Sequence, residues 1–311
     1  MKGIGFILLS LFLVSACSQQ PEHPIRIGTN VWPGYEPLYL ARELDSLPDD
    51  IRLVEYPSAS EVIRSFRNRS LEAASLTLDE ALLLKESNIP IKIVLIHDIS
   101  EGADVIVAKR GIESVEQLKG KRIGVESGAL GAFMITRALE VHDMSIADVE
   151  VVNLDVNLHE AAFKDGRIDA AVTFEPVRTI LLNHGGNEIF TSSDIPNEIV
   201  DVMVVHANVF EENLKSIRSL IDAWFSALDY LNNNEEKAAN IISERLKISS
   251  QEVLESYQGL QIPDRESNRA ILSGDPSDLE RSMREIQRVL EYHGLIRTGV
   301  DIDGVITDKA L

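Results

Sequence analysis

The run Ala103-Asp104-Val105-Ile106-Val107-Ala108 has a near twin further along the chain, Val200-Asp201-Val202-Met203-Val204-Val205. Each is a short apolar, β-branched stretch of strand length with an aspartate in second place. Between them lies a block of about 90 residues that has its own series of strand and helix signals. A compact block entered and left through two similar strands reads as one domain inserted into another. Two bodies joined at only two places leave a cleft between them.

The rest of the first two thirds supports that reading. Strand signals fall at 25–29, 51–55, 73–77, 91–97, 103–108, 122–126, 149–154, 169–174 and 200–206. Helical periodicity fills 37–45, 59–68, 79–87, 129–141, 158–164 and 176–184. Alternation of this kind predicts α/β units with parallel sheets. From about 208 onward the pattern is helix after helix. There the stripe Ile217, Ile221, Trp224, Leu228, Leu231 has core spacing.

With 311 residues the chain has room for one large or two medium domains. Its 50 acids against 30 bases give a formal charge of −20. That balance argues against nucleic acid as a partner, because phosphate recognition needs basic patches. The histidines at 23, 97, 142, 159, 184, 206 and 293 show no zinc-ligand spacing. No G-x-S-x-G stands in the sequence, and the single cysteine precedes the folded part. No metal, no cofactor and no catalytic set is expected, so the chain reads as a non-enzyme.

That cysteine carries a different message. Lys2 precedes an apolar run from Ile4 to Ala16, too short to span a bilayer. A basic start, a short apolar core and small residues at its end describe a secretory signal. Val14-Ser15-Ala16-Cys17 resembles a bacterial lipobox. The expectation is a signal peptide over 1–16, a lipidated Cys17, and a polar tether over 17–24. Lipid chains would then hold the protein on a membrane face, periplasmic or at the cell surface.

In open α/β sheets, ligands sit beyond the carboxyl ends of the strands, so the strand exits are the places to search. The first exit is Gly28-Thr29-Asn30-Val31-Trp32-Pro33-Gly34-Tyr35-Glu36-Pro37. Trp32 and Tyr35 offer flat faces with polar edges, suited to a ring or a cation; equally, both could pack in the core. The third exit, Thr77-Leu78-Asp79-Glu80, has capping-box spacing, a structural device that can still line a cleft. Ser127-Gly128-Ala129-Leu130-Gly131 opens a helix whose amides could hold an anion, although no Lys or Arg accompanies them. The following stripe, Leu130, Phe133, Met134, Ala138 and Val141, reads as core. Phe174-Glu175-Pro176 closes the last exit of the block. Glu175 either complements a helix dipole or reaches an amine in the cleft.

These segments together carry a family resemblance over about residues 25–260. Its bearers are Ile27-Gly28 through Pro37, the Leu118-Lys119-Gly120-Lys121-Arg122-Ile123-Gly124-Val125 run with Ser127-Gly128, and Asp169-Ala170-Ala171-Val172-Thr173-Phe174-Glu175-Pro176. The chain resembles the solute-binding proteins of ABC importers in the nitrate, sulfonate, taurine and thiamine-pyrimidine (SsuA/NMT1-like) group. The resemblance implies an α/β, two-lobe periplasmic-binding-protein type II fold with two hinge strands and a helical C-terminal region. Lobe I would comprise 25–103 plus 205–311 and lobe II 104–204, hinged near Asp104 and Asp201. It implies a ligand-facing set of Asn30, Trp32, Tyr35, Thr77, Ser127, Gly128, Phe174 and Glu175, with Asp201 added from the second crossing strand. It also implies a small-molecule solute, a permease and ATPase as partners, and a monomer. A sensory lipoprotein reporting to a membrane receptor would use the same cleft. No arginine stands among these positions to clamp a sulfonate or nitrate, and Trp32 and Glu175 lean toward a nitrogen-bearing solute. An enzymatic relative, thiamine pyrimidine synthase, uses a cysteine-rich motif that has no counterpart after Cys17.

Overall fold

The computed structural model describes residues 24–311. The expected signal peptide, Cys17 and most of the tether therefore lie outside the described residues.

Two separate sheets form, one on each side of a cleft. The first holds β1 (Ile25–Thr29), β2 (Ile51–Glu55), β3 (Ala73–Thr77) and β4 (Ile91–Ser100). The second holds β5 (Val105–Lys109), β6 (Arg122–Val125), β7 (Glu150–Asn153), β8 (Ala170–Thr173) and β9 (Gly186–Thr191). The chain then returns to the first sheet as β10 (Val200–His206), and a two-residue β11 (Leu260–Gln261) finishes its edge. Strand order is β11-β4-β10-β3-β1-β2 in the first sheet and β7-β6-β8-β5-β9 in the second.

The expected parallel sheets are in fact mixed. β1 pairs in parallel with β2 and β3, and β6 with β7 and β8. β10 runs antiparallel to both β3 and β4, and β5 antiparallel to both β8 and β9. The exceptions include the strands on either side of the passages between sheets. A parallel neighbour is reached through a crossover helix, whereas a chain coming back from a second sheet enters its slot reversed. The look-alike runs consequently have different homes. β5 begins two residues later than expected and belongs to the second sheet, while β10 belongs to the first.

Helices α1 (Glu36–Glu43), α2 (Ala59–Arg67) and α3 (Leu78–Glu86) follow strand exits of the first sheet. In the second, α4 (Leu130–Glu140), α5 (His159–Lys164) and α6 (Val177–Asn183) do the same. Their starts are written locally. Ser58 Oγ accepts from Glu61 N at the head of α2, and Glu80 Oε2 accepts from Thr77 N (3.0 Å) at the head of α3. The C-terminal third supplies α7 (Ala207–Glu212), α8 (Leu214–Asn233), α9 (Glu235–Leu246), α10 (Ser250–Ser256), α11 (Arg265–Leu272) and α12 (Asp278–Tyr292). The α8 stripe Ile217, Ile221, Trp224, Leu228, Leu231 is buried. In α4 the stripe holds for Leu130, Phe133, Met134 and Ala138, but Val141 is exposed because the helix has already ended.

The chain passes between sheets at 101–104 and again at 192–199. The two passages are tied to each other. Ser100 Oγ and Ser192 Oγ are 2.7 Å apart. Gly102 N donates to Ser192 Oγ (2.6 Å) and Asp104 N to Ser100 Oγ (3.2 Å). Backbone bonds from Ser192 N to Asp104 O and from Ser100 N to Ile199 O complete the junction. Asp104 thus sits in the first passage. Asp201 is a ladder residue of the first sheet, opposite Thr77 and Asp98, and not part of the second passage.

Candidate functional site

The strand exits converge on a cavity between the sheets. Asn30, Trp32, Tyr35, Ala59, Thr77, Glu80 and Asp201 line it from one side. Glu126, Ala129, Leu130, Met134, Val156, His159, Thr173 and Phe174 line it from the other, and Asp104 reaches it from the passage. Its volume is about 30 Å³, room for a water molecule or two. The two sheets are therefore closed on each other.

One wall is aromatic. The rings of Trp32 and Phe174 meet edge to face, with centroids 5.3 Å apart and an 88° angle. Trp32 Nε1 donates to Asp98 Oδ2 at 3.1 Å, which fixes the indole. Tyr35 O–H donates to Asp201. The turn carrying both aromatics needs glycine at Gly34, because a Cβ there would collide with the Asp98 carboxylate and the Trp32 indole. Tyr257 O–H donates to Pro33 O (3.0 Å) and holds the same turn from the C-terminal region.

The other notable feature is a concentration of buried acids. Asp79, Glu80, Asp98, Asp104 and Asp201 are each at most 3% exposed. Burial in a medium of low polarisability disfavours their charged forms. It pushes Asp79 up to about 6, Asp104 to about 7, and Glu80 and Asp98 each to about 8. Asp201 is raised well above the carboxylate range, first by burial and then by the charges of Asp98 and Asp104. Burial likewise lowers His97 to about 3 and His159 to about 4, so both imidazoles are neutral. Asp98 Oδ1, Asp104 Oδ2 and Thr173 Oγ1 find no hydrogen-bond partner within the protein.

Two carboxylates reach across the cleft to helix N-termini on the opposite side. Glu80, already bonded to Thr77 N, also accepts from Leu130 N (3.1 Å) at the start of α4. Glu126, at the end of β6, accepts from Ser60 N (2.6 Å) in the first turn of α2. Amides at a helix N-terminus bind negative charge, and here the protein's own acids take that role.

Of the sequence-predicted residues, the fold brings Asn30, Trp32, Tyr35, Thr77, Phe174 and Asp201 together around the cavity. Three others lie elsewhere. Ser127 and Gly128 are exposed on the turn ahead of α4, and Ser127 N donates to Asn153 Oδ1. The amide of that segment which faces inward, Leu130 N, belongs to Glu80. Glu175 is buried against its own helix. It accepts from Thr179 Oγ1 (3.0 Å), Thr179 N (3.2 Å) and Arg178 Nη1 (3.2 Å). Its three partners, all within one turn downstream, hold it away from the cleft, so it complements the helix start. The acids that do surround the cavity, Asp104, Glu126 and Glu80, carried other meanings in the sequence or none. Only the capping box at Thr77–Glu80 gave a usable signal. Among the described residues, no group of three His, Cys, Asp or Glu is placed to hold a metal ion, and no helix is long and apolar enough to cross a membrane.

Comparison with known proteins places this geometry. The profile of the NMT1-like family matches residues 18–245. A binding protein of Brucella abortus is 27% identical over 263 residues, covering 80% of each chain. The taurine-binding periplasmic protein of Escherichia coli is 24% identical over 177 residues, 56% of this chain and 55% of that one. Among solved structures, the alkanesulfonate-binding protein SsuA of Xanthomonas axonopodis pv. citri, bound to MOPS, superposes with a TM-score of 0.78 at 15% identity. That match covers 92% of this chain and 98% of the other. The desulfurization enzyme DSZB also shares the fold, with a TM-score of 0.66 at 16% identity and coverage of 92% and 97%.

Proposed function

Because the chain belongs to the NMT1-like family, we propose that it is the extracytoplasmic solute-binding lipoprotein of an ABC importer. It captures a small nitrogen- or sulfur-containing organic solute between its lobes and delivers it to a permease and its ATPase. Lobe I spans 25–103 and, because β10 lies in the first sheet rather than the second, resumes at 200 and not at the expected 205; lobe II spans 104–199, and Cys17 carries the lipid that holds the chain at a bacterial membrane face. The binding set is Asn30, Trp32, Tyr35, Thr77, Phe174 and Asp201, joined by Asp104, Glu80 and Glu126.

One observation carries this reading: a cavity whose walls come from two sheets connected only at 101–104 and 192–199. A site divided between two bodies assembles when they close and is exposed when they part, which is the hinge repertoire of capture and release. The names of the relatives, a binding protein and a taurine-binding periplasmic protein, support it and favour binding over turnover.

Native mass spectrometry of the purified full chain, followed by binding measurements on Trp32→Ala, tests the reading. A co-purified small molecule and a loss of binding in the variant are expected. If no small molecule is retained or stabilises the fold, and Trp32→Ala behaves like the parent, the cavity is not a solute site.

A further inference from the structure

We propose that the cavity selects a compact organic cation bearing N–H donors, a primary ammonium or amidinium group, and rejects sulfonate and nitrate anions. This rests on the reading of the cleft as a solute site and narrows its ligand class.

The lining decides the sign of the ligand. Among the described residues, four carboxyl groups face the cavity, from Glu80, Asp104, Glu126 and Asp201, and no Lys or Arg lines it. An anion in this position is ordinarily held by basic side chains or by helix N-terminal amides. The N-termini of α2 and α4 are already engaged by Glu126 and Glu80. A sulfonate would have to displace one carboxylate and sit beside the others.

The unsatisfied groups decide the ligand's hydrogen bonds. Asp104 Oδ2 and Thr173 Oγ1 are buried, belong to residues that line the cavity, and lack any partner among the described residues. A buried polar atom without a partner is costly, and an N–H of a bound cation would satisfy the ionised Asp104 oxygen, the Thr173 hydroxyl being able to donate or accept. A quaternary ammonium has no N–H to offer, which favours a primary amine or amidine. The edge-to-face pair of Trp32 and Phe174 adds aromatic surface on which a cation is attracted. A metal cation is disfavoured by the absence, among the described residues, of any three-ligand group.

The acids are poised to respond. Asp79 and Glu80 on α3, Asp98 on β4, Asp104 in the passage and Asp201 on β10 all have raised pKa values. Glu126, just after β6, is raised too, while Tyr35, His97 and His159 stay neutral beside them. A bound cation favours their ionised forms, so its uptake releases protons and tightens as pH rises from 6 to 8.

Calorimetry and thermal shift on the full chain would compare 2-aminoethanol and acetamidine with 2-hydroxyethanesulfonate and nitrate. Native mass spectrometry would identify any co-purified solute. Binding of the cations, or a cationic co-purified solute, supports the inference. So does a loss of at least tenfold in cation affinity in Asp104→Asn while that variant unfolds at no lower temperature than the parent. Binding of the anions, or a co-purified anionic or neutral solute, overturns the cation assignment and leaves the solute-binding reading standing. If no probe binds and nothing co-purifies, both fall together.

Discussion

Asp104→Asn isolates the energetic consequence of burying an acid that keeps one oxygen without a partner among the described residues. In the folded chain Asp104 titrates near 7, mainly because it is buried and secondarily because Asp79 lies nearby. In the unfolded chain it returns to about 3.8. The folded state therefore holds a proton that the unfolded state has lost. Stability from this group is complete below the unfolded value and declines as pH rises through the folded one. Integrated from pH 5 to pH 8, that decline is about 3 kcal/mol. Asparagine has nearly the same shape and cannot ionise, so the variant escapes the loss. Buried His97 and His159 have the opposite pH dependence below about 6.5, but they are present in both proteins and cancel in the difference. The expected result is a variant whose stability advantage over the parent grows by about 3 kcal/mol between pH 5 and pH 8. For a chain of this size that is a rise of about 6 °C in the unfolding midpoint. Calorimetric scans of parent and variant across this pH range measure it. A difference that stays flat from pH 5 to 8 would show that Asp104 is ionised in the native state, and the account of the buried acids would be wrong.

Gly34→Ala should cost about 1–3 kcal/mol, because a methyl group there overpacks against the Asp98 carboxylate and the Trp32 indole; an unchanged unfolding midpoint would contradict the geometry. Glu126→Ala removes a charge-assisted bond across the cleft worth about 2 kcal/mol. That corresponds to about a 30-fold shift toward the open form, so small-angle scattering should report a larger radius of gyration than for the parent. Glu175→Gln is expected to lower the unfolding midpoint modestly while leaving ligand affinity within about twofold, since its carboxylate serves Thr179 and Arg178; a large affinity loss would return Glu175 to the cavity.

What could be read from the chain followed physical range. The exit after β1 was legible because a tryptophan, a tyrosine and two prolines on one turn have few structural explanations. The α3 start was legible because a capping box closes over three residues. The orientation of Glu175 was missed although its partners are close in sequence, because an acid before a helix can face either its own amides or the solvent space beyond. The clasps made by Glu80 and Glu126 depend on segments that meet only when the sheets close. Asp98, which positions Trp32, sits on a strand with no local mark of that duty. β9 was overlooked because Gly186-Asn187-Glu188 opens it with polar residues and breaks the apolar alternation. The reversed direction of β5 and β10 came from the chain's return path and leaves no imprint on periodicity.

The hydroxyls of Ser100 and Ser192, in contact where the chain passes between sheets, have a mechanical consequence. Two independent linkers would let one sheet slide, twist and tilt against the other. Bridged side by side, the two passages are joined laterally as well as along the chain, which restrains their independent movement. On the proposed reading, this junction would guide the motion between the lobes, and residues elsewhere would set the chemistry of the cavity. Substitutions around Trp32 or Asp104 would then retune the cavity without touching the junction.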